Sequence, residues 1–248
     1  MSVWPAHIAA AGLCAALILS AAPALAQDIS ISFGDEGSLA ARSIQLIILV
    51  TVLSLVPGLA IMITCFPFIV TVLAILRQAI GLQQSPPNML IVSLALFLTY
   101  FVMEPVFTEA WRLGAEPLID GRLEVEAAFA QAMGPFRGFM VNRIEAETFE
   151  SLALLRNATE GLAAPSRDAP LSLLVPSFLL SEIERAFQIG FLIFLPFLII
   201  DLVVAAVLMS MGMMMVPPAI VSLPFKLAFF VVADGWSLVT GALVRSYF

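Results

Sequence analysis

Residues 44–76 run for 33 positions without a charged side chain, and that run limits what the chain can become more than any other feature. A membrane-crossing helix needs about 20 consecutive apolar residues, so the run is too long for one simple span and too apolar for a soluble surface. Pro57-Gly58 and Pro67 interrupt it. Proline inside a helix removes a hydrogen bond and clashes with the preceding turn, so a kinked or broken helix is expected. Arg77 ends it. The turn GLQQSPPN (81–88) leads into a second span at 89–111, with Glu104 and Pro105 near its end. Hydrophobic residues make up 61% of the 248 and charged residues 12%, against about 45–50% and about 25% in soluble domains. The formal net charge of -7 argues against nucleic acid as a partner.

Residues 1–26 read as a secretory signal. The apolar core at 8–20 is too short to span, and Ala24-Leu25-Ala26 offers a small-x-small site with cleavage after Ala26. An uncleaved signal anchor is the alternative, because only the α-amine and His7 supply positive charge ahead of that core. After cleavage, 27–43 forms a short extracytoplasmic arm. Cys65 is then the single thiol, which makes neither an intramolecular disulfide nor a thiolate metal site.

Past Trp111 the chain changes character. Residues 112–171 hold 6 Arg and 9 Asp or Glu, with Phe149, Leu152, Leu155 and Leu162 at helical spacing. This predicts a small amphipathic helical insert outside the membrane, bounded at 112–175 and closed by the breaker-rich APSRDAP (164–170). Ser181 to Glu184 reads as a capping box opening a helix that runs past Asp201 to Gly212. The last span is 219–244, with Pro224, Lys226 and Asp234 inside it.

The two apolar halves share a pattern: helix, Gly-x-x-x-x-Pro-Pro, helix. It occurs at Gly81 with Pro86-Pro87 and at Gly212 with Pro217-Pro218. Glycine closes a helix well and proline starts one, so each half reads as a hairpin. Chance similarity between two apolar hairpins is the competing reading. The expected fold is therefore all-α and membrane-associated: two hairpins of four long, kinked apolar helices, 44–111 and 176–248, around the insert. With the N-terminus outside, both Pro-Pro turns face the cytoplasm, and Arg77 agrees with the positive-inside bias.

Glu104, Asp201, Lys226 and Asp234 are each costly at mid-bilayer, about 2.5–3.5 kcal/mol for Asp or Lys. They either line an ion route or pair across helices and subunits, and pairing is favoured because the only histidine is His7. Lys226 with Asp201, or with a neighbouring subunit's Asp234, is the pair to examine. Met209, Met211, Met213, Met214 and Met215 crowd the second turn. Methionine is soft and repacks readily, so such a turn either fills hydrophobic space or seals a hole as a gasket. No Ser/His/Asp set, phosphate-cradling loop or metal-ligand cluster appears, so neither enzyme chemistry nor a cofactor is expected.

The stretches ILRQAIGLQQSPPNMLIVSLALFLTYFVMEPVF (75–107) and PSFLLSEIERAFQIGFLIFLPFLIIDLVVAAVLMSMGMMMVPPAIVSLPFKLAFFVVADGW (176–236) resemble the FliP family, the flagellar branch of the type III secretion export-gate proteins. The insert is similar around Gly134 to Met140. The resemblance covers most of 44–248 and departs at Cys65-Phe66-Pro67-Phe68, where Ser-Phe-Thr-Arg is expected. It implies a ring of five subunits joined by FliQ-like and FliR-like proteins in the inner membrane, within the flagellar basal body. It also implies a gasket at Met213, Met214 and Met215, and unfolded flagellar proteins as the cargo. A small-solute or ion transporter built from a duplicated hairpin is the alternative, testable by uptake into liposomes.

Overall fold

The computed structural model describes residues 39–82, 86–155, 164–213 and 215–248. The signal segment with Ala26, together with Leu162 and Met214, lies outside the described residues. Among the described residues every regular element is helical: α1 (Leu39–Met62), α2 (Phe66–Ile80), α3 (Asn88–Ala110), α4 (Glu116–Ile119), α5 (Val125–Val141), α6 (Ala146–Leu155), α7 (Leu171–Ser210), α8 (Pro218–Val232) and α9 (Gly235–Arg245). A π-helical turn, Trp111–Ala115, joins α3 to α4. Ser43–Met62, Asn88–Ile119 and Leu171–Ser210 are long and apolar enough to cross a membrane, and α8 with α9 adds a fourth if the bent pair counts as one span. The chain divides into two compact units, Met1–Thr51 and Val52–Phe248. In the first, the described part opens α1, where the Thr51 hydroxyl donates to the Ile47 carbonyl at 2.7 Å. All that follows concerns the second unit.

The 44–76 run breaks at only one of its two proline sites. Pro57 lies inside α1, whereas Pro67 sits in the first turn of α2, where a missing N–H leaves no bond unmade. In the turn between them, the Thr64 hydroxyl donates to the Ile61 carbonyl at 2.8 Å. The first apolar half thus holds three helices. α2 is the centre of the core: Phe68, Ile69, Val72, Leu73, Leu76, Ala79 and Ile80 are buried at helical spacing, against α3, α7 and α8. Gly190 on α7 permits the close approach, because a Cβ there would lie 2.4 Å from Ile75 Cδ1.

Three expectations are corrected. Ser181 does not open a helix; α7 begins at Leu171, directly after Pro170, and passes through it without a break. Its hydroxyl donates to the Ser177 carbonyl at 2.9 Å and accepts the Glu145 N–H at 3.0 Å. A serine satisfied in this way is tolerated mid-helix, so the capping pattern loses to an earlier start signal. The last span is not one kinked helix but two: α8 and α9 meet at 61°, at Asp234, which takes the left-handed conformation with φ 48°. In the insert, Phe149 is buried and Leu152 packs on the same cluster, but Leu155 is 81% exposed. That cluster joins α5, α6 and the segment before α7 to the start of α7, through Met140, Phe149, Ala169, Leu174 and Phe178.

Candidate functional site: the methionine turn and its polar anchor

The turn between α7 and α8 is built by its ends. Gly212 takes φ 74°, its N–H donates to the Met209 carbonyl at 3.1 Å, and the Met213 N–H reaches the Leu208 carbonyl at 3.0 Å. This pair of bonds is the Schellman closure, which needs a residue free to adopt positive φ. Pro217 then precedes α8 with φ -64° and ψ 117°, and Pro218 is its first residue. The frame holds the methionines outward: Met209, Met211 and Met213 are exposed, and Met215 is 98% exposed. Beside them an apolar groove of about 580 Å³ runs between α7 and α8, lined by Val203, Val207, Met211, Met213, Val221 and Phe225 among others.

The first turn has the same glycine and proline at its two ends. Gly81 takes φ 89° and its N–H donates to the Gln78 carbonyl at 3.0 Å. Pro87 precedes α3. Here, however, Arg77 does the fastening: its guanidinium donates to the Pro86 carbonyl at 3.4 Å and to the Asn88 side-chain oxygen. The second turn has no such cation.

Below the turns lies a buried polar cluster. Lys226 on α8 is only 6% exposed, and its Nζ stands 2.6 Å from Asp201 Oδ2 on α7. The other carboxylate oxygen of Asp201 accepts the Ser222 hydroxyl at 2.6 Å. Lys226 Nζ also donates to the Ala79 carbonyl at 3.2 Å. Ala79 is in the last turn of α2, where carbonyls lack helical partners and the helix dipole favours a cation. Three helices therefore converge on one ammonium. Glu104 and Asp234 are not part of this cluster; both are exposed. Asp234 lines a separate cavity of about 280 Å³ that Arg77 also borders.

A second cluster escaped sequence reasoning. Arg143, just after α5, pairs through Nε with the fully buried Glu182 at 2.8 Å. Its Nη1 donates to the Ser246 carbonyl at 3.0 Å, and its guanidinium lies 4.1 Å from the Tyr247 ring centre. The Tyr247 hydroxyl donates to the other oxygen of Glu182. Burial, and then the Glu182 charge, push the Tyr247 phenol far above its ordinary range, so it stays a donor. A charged residue inside an apolar helix is the sequence signal for this cluster, and the capping pattern of Ser181 to Glu184 hides it.

At the site where the family resemblance departs, Cys65 and Phe68 are fully buried. Phe68 meets Tyr247 edge-on at 5.6 Å, so an aromatic core contact fills the position where the resemblance implies an arginine.

A family model described as "FliP family" matches residues 49–243. A flagellar biosynthetic protein FliP of Caulobacter vibrioides is 49% identical over 233 residues, covering 94% of this chain and 87% of the relative. The protein of the same name from Bacillus subtilis is 43% identical over 220 residues, covering 88% and 98%. That of Aquifex aeolicus is 43% identical over 233 residues, covering 93% and 97%.

Proposed function

This chain belongs to the FliP family, and from that premise we propose that it is a core subunit of the flagellar protein export gate. In this reading several copies, five by family resemblance, form a ring with FliQ-like and FliR-like proteins. The ring encloses the channel through which unfolded flagellar proteins cross the inner membrane. Residues 1–26 are a signal removed after Ala26, which leaves 27–43 and the insert at 112–175 extracytoplasmic. The hairpins at 44–111 and 176–248 then supply the walls.

The observation that carries the reading is the methionine turn. Met215 is 98% exposed on a turn whose backbone is fixed by Gly212 and Pro217. A long apolar side chain held in the open costs solvation, and a ring of them around a pore would recover it by mutual contact. Flexible thioethers suit a seal that must deform around varied cargo. Met213, Met214 and Met215 are the proposed gasket, with Met209 and Met211 behind them.

The test is replacement of Met213, Met214 and Met215 together by alanine in the assembled complex. The expected outcome is leakage of small solutes with export retained. Normal export with an impermeable membrane would remove the gasket assignment. Uptake of a small solute by the chain alone in liposomes, lost on neutralising Asp201 or Lys226, would favour a transporter instead.

A further inference from the structure

The junction of α8 and α9 has no side-chain cap where it bends. Asp234 is the only non-glycine at positive φ among the described residues, and its carboxylate makes no capping bond to the open N–H groups of α9. No proline lies at the bend; Pro224 is inside α8. The backbone there leaves a favourable helical conformation; it keeps the Asp234 N–H to Val231 carbonyl bond at 3.1 Å and the Leu238 N–H to Asp234 carbonyl bond at 3.0 Å, but gains no side-chain cap in exchange.

The contacts that hold the bend lie elsewhere. Phe230 fills the space beside Gly235, where a Cβ would fall 2.1 Å from the ring, and Trp236 meets the same ring edge-on at 5.5 Å. At the far end of α9, Tyr247 is clasped between Phe68 and Phe139, under Arg143 and against Glu182. Ser246 gives its carbonyl to Arg143. Glu182 is fully buried, so loss of the Tyr247 hydroxyl leaves one of its oxygens without its partner. That penalty separates a seated tail from an unseated one with little in between.

We propose that α8 and α9 form a two-state elbow: bent while residues 246–247 occupy the seat made by Arg143, Glu182, Phe68 and Phe139, and straight when the seat is empty. Straightened, Pro218 to Arg245 is one apolar helix of about 42 Å at 1.5 Å per residue, enough to cross a bilayer core of about 30 Å. The device lets one segment cross lipid as a plain helix before the insert is in place, and fold back once Arg143 arrives. The elbow does not depend on the gate reading.

The experiment is a spin-label distance measurement on the full chain in mild detergent. Labels go on Asn142→Cys and Phe248→Cys, both exposed positions, in a Cys14→Ser, Cys65→Ala background. The parent should give one short-distance population. Tyr247→Phe, which strands Glu182, and Gly235→Ala, which crowds Phe230, should each raise a long-distance population at least several-fold, with helical ellipticity held or increased. Asp234→Gly, which accepts positive φ freely, should restore the short distance in the Tyr247→Phe background. Unchanged distances in both Tyr247→Phe and Gly235→Ala would overturn the elbow. So would a broad distribution with lost ellipticity, or a failed rescue by Asp234→Gly.

Discussion

Lys226 is the residue on which the polar cluster between α2, α7 and α8 turns. Its ammonium is desolvated and offset by Asp201 and by the Ala79 carbonyl. Removing one partner of a buried pair strands the other charge, at about 3–5 kcal/mol. Asp201 keeps 31% of its side chain exposed, so the lower end applies. Lys226→Met should cost about 3 kcal/mol and lower the melting temperature in detergent, whereas Lys226→Met with Asp201→Leu should recover most of that loss. A double variant as unstable as the single one would show that the pair is not what Lys226 supplies.

Between elements, the α2–α7 contact sets the geometry of the core, and Gly190 sets the contact. A Cβ at 2.4 Å from Ile75 Cδ1 forces either a side-chain shift or helix separation, at about 1–3 kcal/mol. Gly190→Ala should destabilise by that amount, and Ile75→Val combined with it should return part. No recovery would place the strain in the backbone instead. The helix ends were legible in the sequence wherever the signal was local. Gly81 and Gly212 take positive φ, and Pro87 and Pro217 stand immediately before α3 and α8. What was not legible depended on partners far along the chain. The elbow at Asp234 is held by Phe68, Phe139, Arg143 and Glu182 through Tyr247. Ser181 looks like a cap until Glu145 is known to lie beside it. Of the four charges singled out in the apolar runs, two meet in one ion pair, and Glu104 and Asp234 face outward. Spacing alone does not sort them.

At the scale of the whole molecule, apolar surface is the dominant fact. Every side chain from Val52 to Met62 is exposed, and Phe191, Leu192, Ile199, Leu202 and Val203 on α7 are exposed as well. Single exposed hydrophobics are ordinary, but continuous apolar faces of this extent require lipid or protein against them. If the proposed ring is right, a tag on this chain should recover, in mild detergent, a particle of several copies with two small hydrophobic partners. A stable monomer would withdraw the ring and leave the exposed faces to lipid.

The bond from Lys226 to Ala79 has a genetic consequence. Its acceptor is a main-chain carbonyl, which no substitution at position 79 can remove. The link between α8 and the end of α2 is therefore mutable from one side only. A screen for suppressors of Lys226 variants has nothing to find in the identity of residue 79. It should return changes at Asp201 and Ser222, the two side chains that share the cluster.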